Sequence, residues 1–570
     1  MASRHHAGPL AGPLLRAAMA VACVLAVPAA VSAQAPTYDV VIRNGRVLDG
    51  AGNPWVRADV AIQDGRFVAV GRVEGRGRTE IDAAGRYVAP GFIDMMDQSG
   101  AVLLRNGLAE NKLRMGVTTA IGGEGGIPSL PEVDGDTWRA TGGVGHLRGY
   151  FERLEQQGIS INFGTYYSAA QARAAVLGAD ARAPSPAELR RMKDIVQAAV
   201  DAGAMGMSTA LIYPPGSYAS TEELVELARV VAAVGGTYAS HIRGEGKELV
   251  ESVREAIRIG EEGGLAVEIF HLKAAHEPGW GSLMPTAIDT IRAARARGVD
   301  VAANLYPYTA GGTGLEATIP SWAHEGGRDA LLARLADPSV RDRLKDEVRT
   351  GSPGWWNIVE ASGGWDNVIL VNAANEANAH LEGRSVAEIA TALGKEPEDA
   401  AWDLVAQGNG RVMGVFHMMS EGDIVTALQE DWVSIGSDAG AAMEPGVVDG
   451  LGLPHPRSYG TFPRILTRFV RELGTLTLEE AVSRMTSWPA ARMRLDDRGL
   501  IRAGLKADVV VFDLDALDDR ATYDDPTAFP VGIDKVLVNG QVVIDGGRHT
   551  GARPGEVLYG PGRVAPEAGR

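Results

Sequence analysis

Polar residues that could bind a metal ion fall at the ends of segments with the pattern of buried strands. His241, His271, Tyr306 and Asp438 each end such a segment, and Glu124 lies just beyond another. In a barrel of parallel strands the carboxyl ends meet on one face, which is where such barrels place their active sites. Two imidazoles with one or two carboxylates form the ligand set of a mononuclear Zn²⁺ site that leaves one position open for water.

Each of these residues also has a plainer interpretation. A single histidine in a buried strand is more often structural than metal-binding. Glu124 could instead cap a helix or hydrogen-bond to a ligand without touching the metal. His241 and His271, however, end successive predicted strands, and carboxylates end others. The spacing therefore favours a metal centre, with these two histidines as ligands and Glu124 as the third candidate.

The residues between these positions alternate between strand and helix patterns. Ser220-Thr221-Glu222-Glu223, for example, has the pattern of a helix capping box, and apolar residues follow it at helical spacing. Consecutive βα units require parallel strands. Eight of them favour a closed (β/α)8 TIM-like barrel over an open doubly wound sheet, so the predicted class is α/β. The eight predicted strands are residues 88–94, 117–122, 161–165, 206–209, 238–241, 267–271, 301–306 and 432–438.

Short strands near both termini predict a second, smaller domain. Alternating apolar residues and turn pairs such as Asp64-Gly65 predict hairpins in both regions. We place one β-domain at about 35–90 and 495–555, with the barrel over 91–494. The stretch between the last two barrel strands is too long for one connection. It predicts an insertion at about 320–430 that covers the site and contains Trp355, Trp356 and Trp365.

The composition excludes one class of partner. The chain has 570 residues, of which 45% are hydrophobic and 22% charged. Its formal net charge is −17. Nucleic-acid phosphates require a basic face, which this charge balance does not supply. We therefore expect a small-molecule substrate and no nucleic acid.

The first 33 residues have the features of a secretory signal peptide. Arg4 and Arg16 give a positive start, residues 17–30 are apolar, and Val31-Ser32-Ala33 offers a small-x-small cleavage site. An uncleaved anchor and a lipoprotein modified at Cys23 are the alternatives. Cys23 is the only cysteine, so cleavage would leave no disulfide and no thiolate ligand. No membrane association is expected after cleavage.

Several long motifs resemble the amidohydrolase superfamily and, within it, the D-aminoacylases or N-acyl-D-amino-acid deacylases. The resemblance spans roughly residues 38 to 555. The motifs are APGFID at 89–94, GVTT at 116–119, LIYPPG at 211–216, YPYTA at 306–310, SD at 437–438, HPRSYGTFPR at 455–464 and VLVNG at 536–540.

This resemblance implies a barrel flanked by a small β-sandwich, and a zinc-dependent enzyme that hydrolyses the amide bond of N-acyl-D-amino acids. It implies zinc bound by two histidines from adjacent strands, which match His241 and His271. It also implies an aspartate on the last strand that acts as general base, which matches Asp438. The preference for the D-configuration comes from the resemblance alone.

The resemblance further implies contacts with the carboxylate of the substrate. These roles fall on Lys273, Tyr306 and Arg457. An arginine suits such a task because its planar guanidinium pairs with a carboxylate through two parallel hydrogen bonds. For Lys273, which lies two residues after His271, a structural ion pair is the main alternative.

The chain departs from the family pattern at two places. The family's first strand ends in His-x-His, but here these positions are Met96 and Gln98. The family's cysteine ligand corresponds to Gly125, which has no side chain, and Glu124 is the neighbouring residue that could supply an oxygen ligand. Methionine and glutamine are not usual zinc ligands, so we expect one zinc ion per chain.

Two other functions remain open at the level of the sequence. A hydrolase of another C–N substrate, such as a cyclic amide or a dipeptide, would use the same metal chemistry. A non-catalytic small-molecule-binding protein of the periplasm is the second alternative, because the His-x-His pair is missing. The joint presence of both histidines and Asp438 favours an enzyme.

We expect the mature protein to begin at or near Gln34 and to be exported, either to the periplasm or to the medium. The reason is the order of positive, apolar and small residues over positions 1–33. N-terminal sequencing of the protein recovered outside the cytoplasm checks this. Recovery of Met1 or Ala2 there would contradict it.

Overall fold

A computed structural model describes residues 37–130, 132–408, 411–442 and 453–564. The expected signal peptide, with Cys23, lies outside these ranges. Among the described residues, no helix has the length and apolar character needed to cross a membrane.

The N-terminal region forms five strands. The turn between the second and third lies at Asp64-Gly65, where both residues have positive φ (51° and 72°), as a tight hairpin turn requires. The first strand pairs antiparallel with the second and parallel with the fourth and fifth. These strands are β1 (Thr37–Val47), β2 (Val56–Gln63), β3 (Arg66–Gly71), β4 (Arg76–Asp82) and β5 (Tyr87–Pro90).

The next strands run parallel to one another and are buried along their whole length, as expected for a sheet that helices cover. They are β6 (Phe92–Asp97), β7 (Val117–Gly122), β8 (Asn162–Thr165), β9 (Tyr167–Ser168), β10 (Gly206–Ala210), β11 (Thr237–His241), β12 (Val267–Ile269) and β13 (Val301–Leu305). The helices of this region are α1 (Gly100–Leu103), α2 (Glu110–Arg114), α3 (Gly135–Thr141), α4 (Val144–Gln157), α5 (Ala169–Leu177), α6 (Pro186–Ala202), α7 (Thr221–Ala233), α8 (Leu249–Gly263) and α9 (Leu283–Ala296).

The predicted strand 88–94 is two strands in the structure. Residues before Gly91 belong to the terminal sheet as β5, and residues after it begin the barrel as β6. A Cβ atom at Gly91 would lie 2.2 Å from Oγ1 of Thr118, so the chain passes too close to its neighbour for any side chain. A continuous apolar run hides such a change of sheet, because both strands are buried.

An insertion follows β13 and has an apolar core of its own. Its first strand begins at Ala310 and its last ends at His417, and the glycine-rich first strand carries no strand pattern in the sequence. Its antiparallel strands are β14 (Ala310–Gly314), β15 (Val368–Asn372) and β16 (Met413–His417). Its helices are α10 (Arg328–Ala336), α11 (Pro338–Thr350), α12 (Ile358–Ala361), α13 (Val386–Leu393) and α14 (Pro397–Gln407).

The last barrel strand and the return to the terminal sheet complete the described chain. They comprise α15 (Glu421–Leu428), β17 (Val433–Ile435), α16 (Arg457–Arg464), which continues as a π-helix over Ile465–Glu472, α17 (Leu478–Met485) and α18 (Ser487–Arg492). The C-terminal strands are β18 (Val509–Phe512), β19 (Ile533–Val538), β20 (Gln541–Asp545) and β21 (Arg548–His549). They join β1–β5 in one nine-stranded sheet.

The parallel strands have the order of a (β/α)8 TIM-like barrel, as the sequence predicts, with β8 and β9 acting as one strand. The ladder is not continuous around it: β9 to β13 and β17 form one run, and β6 to β8 form another. At the seam between β17 and β6, the N–H of Asp438 donates to Met96 O at 2.9 Å and the N–H of Gln98 donates to Ala439 O at 3.2 Å.

Candidate active site

A cavity of about 750 Å³ opens at the carboxyl ends of the barrel strands. Pockets that bind small molecules typically measure about 300–1,000 Å³. All seven residues singled out in the sequence line this cavity: Glu124, His241, His271, Lys273, Tyr306, Asp438 and Arg457.

The three candidate metal ligands lie together. One possible ligand atom from each of Glu124, His241 and His271 lies within 4.8 Å of the other two. Oε1 of Glu124 is 2.8 Å from Nδ1 of His241 and 3.3 Å from Nε2 of His271. A tetrahedral zinc with bonds of about 2.0–2.2 Å separates neighbouring ligand atoms by roughly 3.3 Å, so these residues fit a zinc ion. Two nitrogens and one oxygen leave a fourth position for water.

The contacts among these ligands shift their pKa values. Burial raises the pKa of Glu124, but the hydrogen bonds from His241 and His271 outweigh burial and hold this pKa well below its usual range. Burial lowers the pKa of His271, whereas the carboxylates of Glu245 and Glu124 raise it, with a net rise to about 9. A metal ion must therefore displace a proton from His271 when it binds near neutral pH.

Glu245, which the sequence reasoning missed, lies behind both histidines and is buried. Its Oε1 is 3.0 Å from Nδ1 of His271, and its Oε2 is 3.8 Å from Nε2 of His241. These are the ring nitrogens that face away from Glu124. A carboxylate at the shorter distance can orient a zinc-binding imidazole, so Glu245 can orient His271, whereas Nε2 of His241 has no hydrogen-bond partner among the described residues. The sequence feature that could have identified Glu245 is its position four residues after His241, which ends a predicted strand.

Lys273 is held by the same carboxylate. Its Nζ donates to Oε1 of Glu245 at 2.6 Å and lies 2.6 Å from Nδ1 of His271. The structural ion pair considered as the alternative role for Lys273 is therefore present. The ammonium also lies 5.7 Å from the centre of the Tyr306 ring and faces the cavity.

Asp438 lies between two donors beside the metal ligands. Its Oδ2 is 2.7 Å from Nη1 of Arg457, and its Oδ1 accepts a longer 3.4 Å hydrogen bond from Nε2 of Gln98. Burial lowers the pKa of Arg457, but the negative charge of Asp438 raises it, so the guanidinium stays charged. The guanidinium also lies over the Tyr306 ring, at 4.7 Å from its centre.

The backbone at two of these residues adopts the left-handed conformation. His271 has φ of 37° and Asp438 has φ of 49°. Residues other than glycine rarely adopt such angles, and they persist where neighbouring contacts enforce them. The N–H of His271 donates to Oδ1 of Asn304 at 2.8 Å. The local turn redirects each side chain from the strand end into the cavity.

A buried lysine holds the turn that carries Asp438. Nζ of Lys112 lies 2.9 Å from Asp94 Oδ2, 2.8 Å from Asp97 Oδ2 and 2.7 Å from Ser437 Oγ. Asp94 also accepts a 2.8 Å hydrogen bond from the N–H of Ser437. Side chains from β6 and α2 therefore fix the residue that immediately precedes Asp438.

Arg457 begins α16, and His455 supports it. The N–H of Arg457 donates to Nδ1 of His455 at 3.1 Å, while Nε2 of His455 lies 2.9 Å from Ala310 O. This pairing makes His455 a neutral imidazole with Nε2 protonated. It connects the arginine to β14 of the insertion and shows how the insertion helps to shape the cavity.

The remaining wall of the cavity is largely apolar. Most of these side chains come from the insertion, which therefore contributes much of the cavity wall. The apolar residues include Ile212, Ile319, Trp355, Trp356, Ile358 and Met413.

Comparison with known proteins places this site in a family. The model of the amidohydrolase family matches residues 79–544. The chain is 35% identical over 535 residues to N-acyl-D-glutamate deacylase of Alcaligenes xylosoxydans xylosoxydans, an alignment that covers 92% of this chain and 98% of the relative. It is 32% identical to the D-aminoacylase of the same organism, with 91% and 97% covered.

A solved structure agrees with these matches. The N-acyl-D-glutamate deacylase of Bordetella bronchiseptica, in complex with zinc and a phosphonate inhibitor that mimics the tetrahedral intermediate, superimposes with a TM-score of 0.75 at 32% identity. The alignment covers 92% of this chain and all of that one. The sequence motifs, the fold and these matches agree, and the chain belongs to the amidohydrolase family.

Proposed function

We propose that this protein is a zinc-dependent hydrolase that cleaves the amide bond of N-acyl-D-amino acids, releasing a carboxylate and a free amino acid. One observation carries the proposal: Glu124, His241 and His271 meet at one cavity with Asp438 and Arg457. The relatives that span nearly the whole chain are deacylases of D-amino-acid derivatives, which supports the substrate class.

Glu124, His241 and His271 would hold the zinc ion, and Glu245 would orient the imidazole of His271. When bound, zinc lowers the pKa of a coordinated water and polarises the acyl carbonyl. We expect one ion per chain, because Met96 is buried in an apolar cluster and Gly125 has no side chain to offer a ligand.

Asp438 would transfer the proton. As general base it accepts a proton from the attacking water, and as general acid it returns that proton to the leaving nitrogen. It lines the same cavity as the three metal ligands and is connected to Glu124 through the amide nitrogen of Gln98.

Arg457 would hold the carboxylate of the substrate, with Tyr306 beside it. Nη1 of this arginine is paired with Asp438, while Nη2 donates only a 3.3 Å hydrogen bond to Gly312 O and can turn to an incoming carboxylate. Lys273 contributes positive charge to the same wall. Anchoring the carboxylate places the scissile carbonyl in attack geometry.

We also propose that the protein acts outside the cytoplasm. Support for this comes from the residue pattern of positions 1–33 alone.

The substrate class is tested with paired N-acyl-D- and N-acyl-L-amino acids, together with cyclic amides and dipeptides. We expect turnover of the D-derivatives, because the relatives that span nearly the whole chain are deacylases of D-amino-acid derivatives. Release of the free amino acid is the measurement. Turnover confined to cyclic amides or dipeptides would contradict the proposal, and so would a zinc-loaded protein that hydrolyses none of the panel.

We expect Asp438→Asn to lower kcat by about 10²–10⁴-fold, the range for loss of a general acid–base group. Asparagine is nearly isosteric but cannot accept the proton. Zinc content, measured by elemental analysis, should stay near the wild-type value because the three ligands are unchanged. The exposed Asp431→Asn is the matched control and should behave as wild type. If Asp438→Asn loses its zinc instead, Asp438 is a metal ligand and the assigned role is wrong.

We expect Arg457→Lys to raise KM mainly, since an ammonium keeps the charge beside Asp438 but cannot present two parallel donors. The expected loss in kcat/KM corresponds to about 1.5–3 kcal/mol, the scale for a charged hydrogen bond. An N-acyl amine without a carboxylate serves as the comparison substrate. Equal losses on both substrates would show that Arg457 does not recognise the carboxylate.

A further inference from the structure

Gln98 lies between the two carboxylates that matter most for the proposed chemistry. Its Nε2 donates a 2.5 Å hydrogen bond to Oε2 of Glu124 and a 3.4 Å hydrogen bond to Oδ1 of Asp438. The amide therefore bridges a candidate metal ligand and the candidate base.

The orientation of this amide follows from its neighbours. The facing oxygens belong to carboxylates, which accept hydrogen bonds when ionised, so the NH2 end of the glutamine must point to them. The backbone of Gln98 is also fixed, because its N–H donates to Ala439 O at 3.2 Å. The same loop carries Asp438, so the two residues keep their relative position.

A second metal ion does not fit beside this glutamine. Met96 is buried in an apolar cluster with Ile121 and Phe270, and Gly125 offers no ligand atom. The two carboxylates facing each other nevertheless need a positive or hydrogen-donating group between them, since like charges at short range repel. The partial positive charge of the amide NH2 group supplies it.

We propose that the side-chain amide of Gln98 takes the place of a second cation, coupling the metal ligand Glu124 to the base Asp438. This rests on the proposed function. By holding Oε2 of Glu124, the amide leaves Oε1, the atom nearest both histidines, as the ligand atom. By contacting Oδ1 of Asp438, it keeps that carboxylate turned towards the metal side of the cavity. Gln98 is thus a positioning residue.

The first test removes the amide. In Gln98→Ala and in the shorter Gln98→Asn, zinc affinity, measured by competition with a chelator, should fall by about 10–100-fold, the usual effect of removing a group that orients a metal ligand. On a deacylase substrate, kcat should fall while KM stays near the wild-type value, because Arg457 is unchanged. A purely structural role would not separate kcat from KM.

The second test exchanges the amide for a charge. Gln98→Glu places a third carboxylate between Glu124 and Asp438, which should create a cation site. Titration with Zn²⁺ or Co²⁺ should then show about two ions per chain, against about one in the wild type. The reason is that the site would contain three neighbouring carboxylates in place of two carboxylates and an amide. Elemental analysis after removal of free metal gives the count.

Gln63 provides the matched control. It lies on β2, far in the chain from the site, and its Nε2 donates to Asp64 at 3.2 Å, so Gln63→Ala and Gln63→Glu repeat the same chemical changes beside a surface carboxylate. Both should leave the zinc affinity and the metal count unchanged. Unchanged zinc affinity in Gln98→Ala, or a single ion in Gln98→Glu, overturns the proposal. The metal measurements use no substrate, so they stand even if the proposed deacylase activity fails.

Discussion

The fully buried ammonium group of Lys112 connects the first barrel strand to the loop that follows the last barrel strand. The position of the candidate base depends on this contact. Burying one charge in a protein interior costs several kcal/mol unless partners compensate it. Lys112 has two carboxylates, a hydroxyl and a carbonyl oxygen around its Nζ. Burial lowers the pKa of Lys112, but Asp94 and Asp97 raise it above its usual value, so the lysine stays charged. This arrangement fixes Ser437 and thereby the turn at Asp438.

The cavity repeats this pairing of charges on a larger scale. Lys273 pairs with Glu245, Glu245 faces both histidines, and Arg457 pairs with Asp438. Without a metal, His271 is protonated near neutral pH, and the three carboxylates Glu124, Glu245 and Asp438 are balanced by Lys273, Arg457 and this imidazolium. A divalent ion that displaces this proton adds one more positive charge than it removes. The cavity then carries a net positive charge, which explains physically why a metal-loaded site of this composition suits a substrate with a carboxylate.

The sequence predicts those strands, helices and strand-end residues that a regular spacing of apolar residues reveals. Strand-ending residues such as His241 and His271 stand out because each ends a short strand pattern that follows a glycine pair, and parallel strands bring their ends together. Lys112 gives no such signal, since the five-residue α2 reads as a polar surface helix. Glu245 lies in a loop, where no period reveals burial. From the sequence, Gln98 is noticed only because the family has a histidine at this position. Its contacts with Glu124 and Asp438 cannot be predicted, because these residues are distant in the sequence.

The seam in the barrel and the candidate base are parts of one feature. A continuous β-ladder would require extended backbone on both sides of the contact between β17 and β6. Asp438 instead has a left-handed φ of 49°, which no regular strand accommodates. Two separate backbone hydrogen bonds and the buried Lys112 hold the strands together there, so the ladder is not needed for closure. Interrupting the ladder frees the backbone to turn, and the turn directs Asp438 into the cavity, which Gln98 lines from the end of β6.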